Sequence, residues 1–340
     1  MSRRILITGG AGFIGSNLVH YWNKNHPNDE LYIVDKLTYA GNIRNLEKII
    51  NKSKINFIQC DIAVPELINN VIKKNCIDNI IHLAAESHVD RSILDPKVFI
   101  DTNIIGTYNL LQSFYSSWSK KGFPENWKFL HVSTDEVYGS LCTSDKKFSE
   151  LTSYSPRSPY SASKASSDHL VMAWYHTYNL PVVIGNCSNN YGPYQYPEKL
   201  IPKIIINALK KEIIPIYGNG RNIRDWIYVY DHINALEKIL TSAAPGNKYC
   251  IGGNNEFSNI QIANLICDLI DDLKSDNFHR GNLIKFVQDR PGHDFRYAID
   301  SSLISKDLNW VPLTNFQNGL EKTISWYIQY QSWWEPLLSN

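Results

Sequence analysis

The sequence predicts an α/β protein: a doubly wound, largely parallel sheet flanked by helices, joined to a smaller interleaved α/β domain. Three observations carry this. Short apolar runs bounded by turn residues alternate with helical stretches through the first half of the chain. A glycine cluster follows the first of these runs directly. From about Asn186 the texture changes, and Pro193, Pro197, Pro202, Pro215, Pro245 and Pro291 punctuate shorter elements. At 340 residues the chain holds more than one typical domain and fewer than three. The expected division is 1–185, with part of 218–250 returning to it, then a discontinuous 186–330, then a tail at 331–340.

The elements follow in order. Ile5 to Ile7 is an apolar run ending in glycines, and Gly15 to Trp22 reads as a helix. Leu31 to Val34 and Phe57 to Cys60 read as the second and third strands, and Val64 to Asn75 as a helix. Ile80 to Leu83, Phe129 to Val132 and Val182 to Ile184 complete six strands, all short and apolar, as in a sheet buried on both faces. Between them lie two periodic stripes: Ile104, Tyr108, Leu111, Tyr115, Trp118, and Leu170, Trp174, Tyr178. Packing on the sheet accounts for both stripes. A homodimer through this helix pair would show the same pattern.

Composition narrows the function classes. Apolar residues at 43% and charged ones at 20% exclude a disordered chain. With 34 basic and 33 acidic residues, the net charge of +1 offers no bulk attraction to nucleic acid or anionic lipid. No apolar run reaches the roughly 18 residues of a membrane span. The first strand starts by Ile5, leaving no room for a secretory leader, so a cytoplasmic location is expected. The six cysteines form no CxxC pair, and neither they nor the histidines have metal-ligand spacing. They read as buried or idle thiols.

Gly9, Gly12 and Gly15 lie between a strand and a helix, at the spacing of a dinucleotide fingerprint. Gly9 would allow the tight turn, Gly12 a close approach by pyrophosphate, and Gly15 close packing of the helix. Phe13 and Ile14 would then stand at the helix N-terminus, where free N–H groups favour phosphate. Asp35 follows Gly15 by twenty residues and closes the second strand. A carboxylate there binds ribose hydroxyls and repels a 2′-phosphate, so the expected cofactor is NAD in a Rossmann-type fold. Asp61 and Ile62 end the third strand, where an adenine edge would lie.

Tyr160 and Lys164 stand at i and i+4 on one helix face. A free phenol with a pKa near ~10 is a poor base at neutral pH, and an adjacent cation favours the phenolate. Such a pair is common on surfaces. After a nucleotide-binding half, with Ser133 and Thr134 closing a strand, it supplies what alcohol oxidation needs: a group to polarise the hydroxyl, a base, and a cation to tune the base.

These motifs, with Leu83-Ala84-Ala85 after the fourth strand, resemble the extended short-chain dehydrogenase/reductase superfamily. The acidic pair Asp135-Glu136 directly after Thr134 narrows the resemblance. So do the stretches 35–42, 82–92, 186–194, 197–202, 224–226 and 289–294. Together they resemble the dTDP-glucose 4,6-dehydratase family over nearly the whole chain. The resemblance implies oxidation at C4 of the hexose, loss of water from C5 and C6, and reduction at C6, giving a 4-keto-6-deoxy sugar for deoxysugar synthesis. Tyr160 would take the C4 hydroxyl proton, Thr134 would bind that oxygen, Glu136 would remove the C5 proton, and Asp135 would protonate the leaving hydroxyl. Asp135 must then be neutral and Glu136 ionised, so their environments should separate their pKa values.

By the same resemblance Lys36, Leu37, Thr38, Glu86, Thr102 and Asn190 would support the cofactor. Ser87 would touch the sugar. Asn189, Lys199, Leu200, Arg224, Asn259, Asp289, Arg290 and His293 would surround the nucleotide diphosphate, and Pro215, Ile216 and Tyr217 its base. Tyr330 would be a further substrate contact. Phe295 departs from the basic residue usual there. The other readings left open are a UDP-glucose 4,6-dehydratase, a nucleotide-sugar 4-epimerase, which needs no Asp135-Glu136 pair, and a nucleotide-sensing scaffold, which needs no catalytic group.

Overall fold

A computed structural model describes residues 2–50, 54–289 and 291–338. The first half winds strand and helix in alternation: β1 (Arg4–Thr8), α1 (Phe13–Asn25), β2 (Glu30–Asp35), β3 (Ile55–Gln59), α2 (Pro65–Lys74) and β4 (Asn79–His82). Two short helices, α3 (Val89–Leu94) and α4 (Pro96–Phe99), lead through a π-helical turn at Ile100–Ile105 into α5 (Gly106–Lys120). Then come β5 (Lys128–Thr134), a 3₁₀ turn at Asp135–Tyr138, α6 (Pro159–Tyr178) and β6 (Val182–Cys187).

The second half is more broken. Its elements are β7 (Asn189–Tyr191), α7 (Leu200–Lys210), β8 (Ile214–Tyr217), β9 (Ile223–Tyr228), α8 (Val229–Ser242), β10 (Lys248–Ile251), β11 (Glu256–Ser258), α9 (Asn259–Lys274), β12 (Ile284–Val287), α10 (Ser302–Leu308), α11 (Phe316–Gln329) and α12 (Gln331–Trp334).

Seven strands form one sheet in the order β10-β6-β5-β4-β1-β2-β3, and every pair in it is parallel. Winding runs outward in both directions from the β1–β4 junction, which opens a crevice at the carboxyl ends of those strands. Alternation in the strands assigns each side chain to a face. Ile5, Ile7, Leu31, Ile33, Ile81, Leu130 and Val183 join a core with α1, α8 and α10. Leu6, Val34, Ile80, Phe129, Val182 and Ile184 join the opposite core with α2, α5 and α6. Apart from Ile104, which falls in the π-helical turn, the two periodic stripes read from the sequence lie on α5 and α6, and Leu111, Trp118, Leu170 and Trp174 all pack in that second core.

A separate core gathers α7, β8, β9, α9, α11 and α12, with Tyr191, Trp226, Trp333 and Trp334 buried in it. Two small sheets serve this region, β11-β9-β7 and β12-β8. Between β8 and β12 the chain crosses back: α8 lies on the large sheet and β10 extends it. Later α10 returns there too, placing Ile304 and Trp310 in the first core. Among the described residues no helix is long and apolar enough to cross a membrane.

Candidate active site

The turn after β1 is built around glycine. Gly9 has φ +70°, and a Cβ on it would lie 2.7 Å from the Ala84 backbone N in the loop after β4. A Cβ on Gly15 would lie 2.1 Å from Gly9 O, so only glycine lets α1 start this close to the turn. Gly12 caps α1 with no side-chain bond, which leaves the first N–H groups of the helix facing the crevice.

Asp35 is buried at the end of β2. Its Oδ2 accepts from Ala11 N at 3.0 Å and its Oδ1 from Leu37 N at 2.8 Å. Burial raises its carboxyl above the usual range, opposed by those two N–H bonds. Nearby, Lys36 Nζ pairs with Asp61 at 2.6 Å.

One cleft of about 320 Å³ runs from this turn to the carboxyl end of β5. Its walls include Gly9, Gly12, Phe13, Ile14, Gly15, Asp35, Lys36, Thr38, Asp61, Ile62, Leu83, Ala84, Ala85, Glu86, Ser87 and Thr102. At the other end they include Thr134, Asp135, Glu136, Tyr160, Lys164, Asn189, Asn190 and Lys199. Thr102 arrives from the π-helical turn, where Asn103 fixes both neighbours: it bonds Glu86 N at 2.9 Å and Ser163 Oγ at 2.8 Å. A glycine turn open to helix N–H groups, a carboxylate one strand away and a long cleft fit a dinucleotide.

The catalytic end is assembled from β5 and α6. Thr134 is the last residue of β5 and caps the 3₁₀ turn, its Oγ1 accepting from Glu136 N at 3.2 Å. The acidic pair therefore forms the first turn rather than the cap. Thr134 Oγ1 also donates to Asp135 Oδ1 at 3.3 Å. Ser158, with Ser161, makes a capping box and Pro159 starts α6, which sets Tyr160 at the mouth of the helix. One turn on, Lys164 Nζ donates to Val132 O at 2.9 Å.

Burial dominates the electrostatics. Asp135 is held protonated well above the ordinary carboxyl range, by burial first, then by the charges of Glu136 and Asp225; Arg224 and the Thr134 bond oppose this. Tyr160 is raised as well, by burial, Glu136 and Cys187, against the hydroxyl bond from Thr134. Burial lowers the Lys164 ammonium to about 8, opposed by Asp168 and Cys187. The sequence reading made Lys164 the tuning cation of Tyr160. In the fold a hydroxyl bond from Thr134 also lowers the phenol, and Lys164 is anchored to β5.

Other expected contacts lie apart from the cleft walls among the described residues. Leu200 opens α7 and packs on the second domain's core. Ile216 is 1% exposed in that core, while Pro215 and Tyr217 flank it on β8. Arg224 is buried: its guanidinium reaches Ile223 O at 2.7 Å and Asp294 O at 2.9 Å and lies 4.2 Å from the Tyr297 ring centroid. Asn259 starts α9, its N–H donating to Asn222 O. His293 bonds Asp289 at 2.7 Å, beside Tyr217. Tyr330 stacks on Trp326. Leu37, with φ +58°, packs against the first core. Arg290 is outside the described residues. Phe295 is exposed, and its N–H donates to Ser140 Oγ at 2.9 Å.

The sequence reading missed wall residues too. Cys187, taken as an idle thiol, sits at the end of β6 in the cleft, and burial pushes its thiol up to about 12. Its place at a carboxyl strand end of a doubly wound sheet was the available signal. Gln195, Tyr196, Ser188 and Gly41 also line the cleft.

The chain matches a family model described as GDP-mannose 4,6 dehydratase over residues 6–323. It is 51% identical to a dTDP-glucose 4,6-dehydratase of Escherichia coli, covering 99% of this chain and 97% of that one. Among solved structures it resembles dTDP-glucose 4,6-dehydratase from Bacillus anthracis in complex with NAD. The TM-score is 0.87 at 42% identity, covering 99% of this chain and 100% of that one. The enzyme of the same name from Streptomyces venezuelae, also with NAD bound, gives a TM-score of 0.90 at 40% identity, covering 98% of this chain and 99% of that one.

Proposed function

Because the chain belongs to the GDP-mannose 4,6 dehydratase family, and within it to the dTDP-glucose 4,6-dehydratases, we propose that it is a hydro-lyase converting dTDP-glucose to dTDP-4-keto-6-deoxyglucose. NAD, when bound along the glycine turn and Asp35, supplies a two-electron acceptor for C4 and the same electrons for C6.

The chain's own groups do the rest. Tyr160 takes the C4 hydroxyl proton while Thr134 hydrogen-bonds that oxygen. The ketone at C4 acidifies the C5 hydrogen, which Glu136 removes. Asp135 gives its proton to the C6 hydroxyl, which leaves as water, and Glu136 returns its proton to C5 as C6 is reduced. Ser87, Asn189 and Lys199, on the cleft walls, contact the sugar phosphate side. Arg224, Asn259, Asp289, His293, Pro215 and Tyr217 belong to the nucleotide-binding half of the reading.

The observation that carries it is the acidic pair on the turn after Thr134, with Asp135 kept neutral by burial and by its charged neighbours. A 4-epimerase or a sensing scaffold has no use for a neutral carboxyl beside an ionisable one.

We also propose a homodimer through the α5–α6 face. Next to it Leu94 is 85% exposed, and Ile93, Val98, Ile100, Ile105 and Tyr108 are exposed large apolar residues. All six cysteines are free, with Cys76 and Cys142 exposed, which suits a reducing cytoplasm.

The deciding experiment incubates the protein with dTDP-glucose and with UDP-glucose separately, without added reductant. Mass spectrometry should show loss of one water from the thymidine sugar in preference. A product of unchanged mass epimerised at C4 would replace this reading with the epimerase.

A further inference from the structure

Behind Lys164 the sheet holds a buried charge that the reaction above does not use. Asp168 lies one turn further along α6 and is 1% exposed. Its Oδ2 accepts from Tyr154 OH at 2.7 Å, from Ser133 Oγ at 3.0 Å and from Asn186 Nδ2 at 3.0 Å. These donors come from a loop, from β5 and from β6, so three segments converge on one carboxylate. Its Oδ1 lies 3.2 Å from His131 Nε2, and the same nitrogen lies 3.5 Å from Lys164 Nζ. His131 is wholly buried.

We propose that Asp168, with His131 between them, is the buried counter-ion that keeps Lys164 an ammonium beneath Tyr160, making Asp168 a positioning residue for proton removal at C4.

Each part of the arrangement has a physical reason. Burial would raise Asp168, but the His131 contact, the Lys164 charge and the Tyr154 hydroxyl outweigh it and lower the group below the ordinary carboxyl range. His131 is pushed down to about 4 by burial and by the Lys164 charge, against Asp168, so at neutral pH it stands as a neutral spacer. Lys164 and Asp168 are then the two opposite charges in this part of the core. The other titratable groups facing them are the Cys187 thiol and the Tyr138 and Tyr154 phenols, each raised by burial and so neutral, and the neutral His82 ring at 5.1 Å from His131. Glu136 and Asp135 also act on Tyr160, and both raise it. An ammonium taken out of water without a counter-charge loses its proton, and a neutral amine cannot favour a phenolate.

The inference rests on the proposed reaction, with Lys164 as the cation that tunes Tyr160, the role read from their i, i+4 spacing. In Asp168→Asn the alkaline limb of the pH–kcat profile should move down by about one unit, because an opposite charge at this range shifts a pKa by that order. Tyr154→Phe removes one bond to Asp168 but no charge, and should leave the limb in place. A thermal double-mutant cycle adds a readout that needs no turnover. Asp168→Asn should cost much of its stability in the wild type and little or none in Lys164→Met, where no cation remains to balance. Lowered activity with an unmoved limb, or an equal loss of stability in both backgrounds, overturns the proposal. A wild type that fails to dehydrate dTDP-glucose sinks the reaction assigned above, while the thermal cycle still decides this one.

Discussion

Asp135→Asn separates the chemistry of the acidic pair from its contribution to folding. Asp135 is 2% exposed, its Oδ1 accepts from Thr134 Oγ1 at 3.3 Å, and its Oδ2 has no hydrogen-bond partner among the described residues. An asparagine keeps the volume and can keep the Thr134 bond through its carbonyl. It puts an amide NH₂ where Oδ2 was, and leaving that unpaired costs about 1–3 kcal/mol.

The opposing effect depends on pH. The folded carboxyl is raised well above its ordinary value by burial, Glu136 and Asp225. Below the unfolded value of about 4 both states are protonated and the wild type keeps its advantage. Above it the unfolded chain ionises while the folded one holds its proton, so wild-type stability falls by about 1.4 kcal/mol per pH unit until the folded carboxyl itself titrates. The asparagine variant has no such loss and should overtake the wild type as pH climbs through roughly 5–6.

Urea midpoints between pH 4 and 8 measure the crossing. Activity should behave oppositely: with no proton for the C6 hydroxyl, water loss should slow by about 10²–10⁴-fold, while C5 hydrogen still exchanges with deuterated solvent. A stability gap that does not change with pH would show that the fold does not hold Asp135 neutral. Normal water loss would remove it from the reaction.

Glu136→Gln should slow elimination by a similar ~10²–10⁴-fold and, unlike the Asp135 variant, abolish C5 exchange with deuterated solvent; exchange at the wild-type rate would mean another base. Tyr160→Phe keeps the edge-to-face contact with Phe99 at 6.4 Å, so thermal stability should hold while ketone formation at C4 collapses; near-normal turnover would assign the C4 proton elsewhere. Asp35→Ala removes the acceptor of Ala11 N and Leu37 N. It should cost about 1–3 kcal/mol by denaturant titration, at ~0.5–1.5 per bond, and lower the NAD content of purified protein; unchanged content would clear Asp35 of a cofactor role. Leu94→Asp should shift the sedimentation of a dimer toward monomer, and an unmoved profile would place the interface elsewhere.

Much of the fold was legible because its signals are local. The unbroken apolar run Ile5-Leu6-Ile7 states that the strand is buried on both faces, and both faces are indeed covered. The glycine turn is legible because its demands are partly local: Gly9 takes φ +70°, and a Cβ on Gly15 would strike Gly9 O within the same turn. Tyr160 and Lys164 are legible because helix geometry puts i and i+4 on one face.

What depended on distant segments was not legible. Pro215, Ile216 and Tyr217 are adjacent in sequence, and only the fold shows that strand alternation sends the Ile216 side chain into the core and leaves Tyr217 41% exposed. Nothing linear announces that α10 returns to the first core, since an apolar stripe does not state which partner will cover it. The sequence by itself determined six strands of the main sheet, the glycine turn and the residues proposed to react, because each follows from steric and periodic rules within a few residues. Only the tertiary structure decided how those groups are charged. Asp135 is raised by burial and by Asp225 from β9, and Lys164 meets His131 from β5, because separate elements bring these groups together and burial removes the water that would otherwise screen them.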